Sequence, residues 1–147
     1  MNRLRHLIIA ALLLISGSAF SSAHAADPSI LNIDSLLSVN LLGDTQELRS
    51  DKIEGDSLSS VHLVQVRGEI RAQSHLHHKQ TVYLVRGAGR LTLGNQKYKV
   101  AAGEVITIPP GTPYSFYSMG KIPTVVISIF SPGFDGKDTV YENSDGR

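Results

Sequence analysis

The chain has 147 residues, enough for one domain and too few for two. It carries 14 Lys and Arg against 13 Asp and Glu and no cysteine, which excludes disulfides and thiolate chemistry. Two of those cations, Arg3 and Arg5, lie in a leader; the other 12 against 13 acids give −1, with no cluster to suit nucleic acid.

Residues 1–25 read as a cleavable signal peptide. Arg3 and Arg5 precede the apolar run Leu7 to Ile15, and Ser22-Ala23-His24-Ala25 ends in the small-x-small pattern a signal peptidase accepts. That run is shorter than the roughly 20 residues a membrane helix needs, so no stable insertion is expected after cleavage. The expected location is the bacterial periplasm.

Residues 26–47 form a lead-in dense in apolar side chains from Ile30 to Leu42. Ser29 or Asp34 is placed to cap a short helix over Ser35 to Leu42, which would cover an edge or end of a sheet. From residue 48 the period becomes that of strands. Runs such as Val61 to Val66, Thr81 to Val85, Val105 to Ile108 and Thr124 to Phe130 are rich in β-branched and apolar residues. Turn signals divide them: Gly68-Glu69, Gly87-Ala88-Gly89, Gly94-Asn95, Ala102-Gly103, and the proline-rich connection Pro109 to Pro113. Nine or ten short strands with almost no helix argue for a sandwich or a barrel. His62 alternates with apolar neighbours and reads as a surface or rim histidine, with membership of the site as the alternative. Residues 133–147 form a polar tail in which Phe134, Val140 and Tyr141 are candidate pins, its last five or six residues reading as disordered.

The chemistry concentrates between Gly68 and Ser118. His75 and His77 are two apart, so on a strand both imidazoles face one side. His78 would point away unless the turn bends inward, which makes it the alternative ligand. Gln80 opens the next strand, and Tyr114 follows the rigid proline connection. Imidazoles suit Zn, Fe, Ni, Cu and Co, and the expected cofactor is one divalent transition metal, Zn, Mn, Fe, Ni or Cu. The plainer reading is that His75 to Lys79 is a solvated polar rim, and a neutral amide with a neutral phenol makes a weak ligand set.

These residues resemble the two motifs of the cupin superfamily. Gly68, His75-Leu76-His77, Gln80 and Gly87 follow its first motif, with Gln80 in the usual Glu place. Gly103, Pro109-Pro110-Gly111, Tyr114 and Ser118 follow its second, with Tyr114 in the usual His place. Two registers stay open: one pairs His75 with His77, while anchoring on Gly87 pairs Gln73 with His75 and leaves His77 and His78 in the turn. The resemblance implies an all-β fold, a single jelly-roll-like cupin β-barrel spanning 48–132 with a short N-terminal helix.

Two functions follow from it. The first is a binding module holding a small polar or aromatic molecule through His75, Gln80 and Tyr114, with Tyr83, Phe116 and Tyr117 as stacking surfaces and no catalytic residue assigned. The alternative is a metal-dependent dioxygenase or isomerase with one divalent transition metal on His75, His77, Gln80 and Tyr114. A homodimer is compatible with either, and a third reading is a dimeric structural protein whose pocket is vestigial.

Overall fold

The computed structural model describes residues 29–142. The expected leader and the end of the polar tail lie outside the described residues. No helix among those described is long and apolar enough to cross a membrane.

One helix and ten strands follow in order: α1 (Ile33–Val39), β1 (Leu48–Gly55), β2 (Ser60–Val66), β3 (Glu69–His75), β4 (Lys79–Arg86), β5 (Ala88–Leu93), β6 (Gln96–Ala101), β7 (Val105–Ile108), β8 (Tyr114–Met119), β9 (Thr124–Ser131) and β10 (Thr139–Tyr141). Helix α1 starts earlier than the expected Ser35 because Asn32 caps it, its side-chain oxygen accepting from the Ser35 amide at 2.9 Å.

The strands form two five-stranded sheets, ordered β1-β2-β9-β4-β7 and β10-β3-β8-β5-β6. The expected closed β-barrel is therefore corrected to two open sheets packed face to face. The physical reason lies at the corners, where the chain passes from one layer to the other through short turns and the strand ladders end. Gly87 makes one such corner between β4 and β5, with φ +91° and Thr124 Cα only 2.9 Å from where a Cβ would stand. Only glycine fits both demands.

Alternating side chains fill the space between the layers. Val66, Val82, Leu84 and Val126 of the first sheet meet Leu91, Val100 and Phe116 of the second. A second cluster lies on the outer face of the first sheet, where Leu37 of α1 packs with Leu63 and Val125. Helix α1 thus covers a sheet face rather than the edge or end expected of it. Strand β2, roofed by α1 and floored by the second sheet, has no exposed residue.

Candidate functional site

One end of the space between the sheets stays open as a cavity of about 190 Å³. Strand β3 brings Gln73 and His75 to it, two residues apart on one face. A register shift between Ile70 and Gln73 sets this phase and leaves Gln73 directly across from Tyr114 on β8. From the first sheet, Gln80 on β4 and Ser128 on β9 face them, and Phe130 and Phe134 complete that wall.

The polar groups interlock. Gln73 Nε2 donates to the Tyr114 hydroxyl at 2.8 Å, and that hydroxyl lies 3.1 Å from His75 Nε2. His75 Nδ1 is 3.2 Å from the backbone carbonyl of Asp138. A carbonyl only accepts, so Nδ1 carries the proton and Nε2 accepts from Tyr114. Burial lowers the pKa of His75, against smaller raising effects from the Asp138 carbonyl and charge. Burial likewise raises that of Tyr114, opposed by Gln73 and Gln80. Both groups are thus held uncharged at neutral pH. Across the cavity Gln80 Nε2 donates to Ser128 Oγ at 2.7 Å, while Gln80 Oε1 is buried with no partner.

Around this core lies an aromatic cluster. Phe130 and Phe134 stack at 4.5 Å, and His62, His75 and His78 present their rings to the pair at steep angles. Phe134 is indeed a pin: its backbone N–H donates to Ser60 Oγ at 2.9 Å, and Ser60 lies 3.0 Å from His62 Nε2. His62 is only 8% exposed, so the expected rim position is corrected. Sequence alternation hides this because both faces of β2 are covered.

The expected metal set does not assemble. His77 is exposed and contributes only its backbone N–H, donated to Asp138 Oδ2 at 2.8 Å. His78 turns inward but bonds Asp138 Oδ2 through Nδ1 at 2.6 Å, away from Tyr114. Both nitrogens of His75 are engaged, and Gln80 and Tyr114 bring no negative charge. Among the described residues no group of three or more His, Cys, Asp or Glu is placed to hold a metal ion. The metal-binding expectation is therefore corrected.

The expected stacking residues also divide. Tyr83 is 44% exposed, on the face of β4 opposite Gln80. Phe116 is buried in the apolar interior, where it borders a smaller cavity of about 60 Å³ that Gln80 and Tyr114 also reach. Tyr117 is exposed, with the Arg90 guanidinium 5.1 Å above its ring. Gln73, Ser128, Phe130 and Asp138 complete the site. Of these only Gln73 had a sequence signal, the register anchored on Gly87.

Comparisons with known proteins agree on the fold. The Cupin domain family matches residues 61–130. An uncharacterized protein of Aquifex aeolicus is 30% identical over 98 residues, covering 67% of this chain and 80% of that protein. An uncharacterized protein of Methanocaldococcus jannaschii is 30% identical over 77 residues, 52% of this chain, which spans 62% of that protein's length. Among solved structures, a Klebsiella pneumoniae protein with a double-stranded beta-helix domain aligns with TM-score 0.67 at 20% identity, over 80% of this chain and all 100% of that one. A His-to-Gln variant of Streptomyces PAC13 with uridine aligns with TM-score 0.59 at 18% identity, over 69% of this chain and 82% of that one.

Proposed function

We propose that this chain, which has a cupin-superfamily fold, binds a small uncharged molecule bearing a hydroxyl or N–H group in the cavity between His75, Tyr114 and Gln80. The observation that carries this is Gln80 Oε1, a buried acceptor without a partner. Leaving such a group unpaired costs about 1–3 kcal/mol, and a ligand that donates to it removes that cost. Among the described residues no Asp, Glu, Lys or Arg lines the cavity, and burial keeps His75 and Tyr114 uncharged. An ionised guest would enter without a counter-charge.

Size narrows the class further. The cavity's 190 Å³ falls below the roughly 300–1,000 Å³ of drug-sized sites and equals about six waters of liquid volume. One ring with its substituents suits that space, with Phe130 and Phe134 as its apolar wall. Uridine, the uncharged and hydroxyl-rich partner of the Streptomyces PAC13 variant structure, supports the same chemistry though not the same size.

Titration with phenol, uridine and benzoate, read on the side-chain amide resonances of Gln80 and Gln73, tests the reading. Phenol and uridine are expected to move the Gln80 signals while benzoate leaves them unchanged. Tighter binding of benzoate than of phenol, or silence with both neutral probes at millimolar concentration, would overturn it. The periplasm is the proposed compartment, on the leader at 1–25. A mature protein recovered there should begin at Ala26, whereas intact Met1 in that fraction would count against cleavage.

A further inference from the structure

Between β9 and β10 the chain crosses the open end of the sandwich, and Asp138 grips what lies beneath in two ways. Its carboxylate Oδ2 accepts from the His77 backbone N–H at 2.8 Å and from His78 Nδ1 at 2.6 Å. Its own backbone carbonyl meets His75 Nδ1 at 3.2 Å. The next residue, Thr139, pairs with His75 in the β10–β3 ladder. One residue therefore holds the turn between β3 and β4 by its side chain and the site imidazole by its main chain.

We propose that Asp138 is the positioning and specificity-determining residue of this pocket: by clamping the 76–78 turn it fixes its carbonyl on His75 Nδ1, which decides whether Tyr114 spends its hydrogen inside the protein or offers it to a ligand. This rests on the binding site described above. With the carbonyl in place the imidazole is the Nδ1–H form, and the Tyr114 hydrogen points at His75 Nε2. The unsatisfied polar group left for a guest is then an acceptor, Gln80 Oε1. Without the carbonyl nothing holds the proton on Nδ1. In the other neutral form Nε2–H would donate to the phenol oxygen, and the Tyr114 hydrogen would swing away from His75. The pocket would change from one that selects donors to one that also takes acceptors.

The charges around the clamp support it. Burial alone would raise the Asp138 pKa, but bonds from His78 and the His77 and Leu76 amides outweigh that and bring it to about 2. The carboxylate is thus ionised and only accepts. His78 Nδ1 must carry a proton toward it, and His78 Nε2 faces the Gly133 carbonyl at 3.4 Å. Lys137 and Asp135, in the same crossing, pair with each other at 3.2 Å.

Long-range proton–nitrogen NMR of the histidine rings near neutral pH tests the proposal without any ligand. The native protein is expected to show His75 as a single Nδ1–H form. Asp138→Ala should shift both His75 nitrogens toward exchange-averaged positions. Asp138→Asn, whose amide oxygen still accepts from His77 and His78, should restore them, and His77→Ala should leave them unmoved. A folded Asp138→Ala protein with native His75 shifts would overturn the proposal. If that variant does not fold, the native spectrum decides, since an Nε2–H His75 is equally fatal.

A second arm compares phenol with anisole, which lacks the donor. The native protein should prefer phenol about five- to tenfold, the worth of one hydrogen bond, and Asp138→Ala should shrink that preference toward unity. An undiminished preference in a variant whose tautomer has moved would remove the specificity role. Failure of both probes to bind, with the tautomer behaving as expected, would overturn the binding site and spare the clamp.

Discussion

Tyr114 and His75 lie 39 residues apart in the chain and meet hydroxyl to Nε2 at 3.1 Å. The phenol is 6% exposed and also accepts from Gln73, so its oxygen ties together three side chains of the second sheet. Tyr114→Phe keeps the ring's packing and removes that oxygen, stranding Gln73 Nε2 and His75 Nε2 in a half-dry cavity. The expected loss is about 1–3 kcal/mol, checked by urea denaturation at neutral pH. A variant as stable as the native protein would mean that water takes the oxygen's place.

Gln80 should behave in the opposite way. Gln80→Met has similar volume and deletes the unpartnered Oε1, at the expense of the bond to Ser128. Ligand-free stability is expected to change little, because removing the unsatisfied Oε1 is offset by the Ser128 hydroxyl left without its partner. Phenol binding should fall at least tenfold. Stability measured by denaturation and affinity measured by titration would then move apart, as they do when a group is kept for its ligand.

Acid should weaken the fold through His62 and His75. Burial lowers both pKa values, for His62 with help from Lys52, so the unfolded chain binds protons first as pH falls. Stability contributed by their neutral forms is full above the unfolded value near 6.5 and is lost as pH drops toward the lower folded values. Asp138 acts later: its contribution is present above an unfolded value near 3.9 and is lost as pH falls through about 2. Denaturation between pH 5 and 8 should therefore show stability rising with pH, with a shallower slope in His62→Phe. An unchanged slope in that variant would remove His62 from the account.

Gly87→Ala tests the corner between the layers. A side chain there meets both φ +91° and the Thr124 backbone, an expected loss of about 2–3 kcal/mol. The pocket lies at other connections, so phenol affinity in the folded fraction should hold. A thermal melt paired with titration separates the two effects.

Much of this was legible in the sequence, for identifiable reasons. Strand positions followed from β-branched runs and turn residues, and the His75–Tyr114 convergence from motif spacing. Tyr83 stands three residues from Gln80, and alternation alone already assigns it to the other face. The phase of β3 was harder, because the register shift after Ile70 has no local signature. It selects the pairing of Gln73 with His75 over that of His75 with His77. His62 was misread since a strand covered on both sides loses its polar and apolar rhythm. Asp138 gave no signal at all: a single acid in a polar tail acquires its meaning only when the chain returns over the 76–78 turn.

Two open layers behave differently from a closed ring. The cavity is bordered by Leu48 and Ser50 of β1 and by Thr139 and Tyr141 of β10, the outermost strands of their respective sheets. Among the described residues no main-chain ladder stitches those two margins together. Spreading them to admit a bulkier guest strains side-chain contacts and the Asp138 clamp, and leaves every rung of both sheets in place.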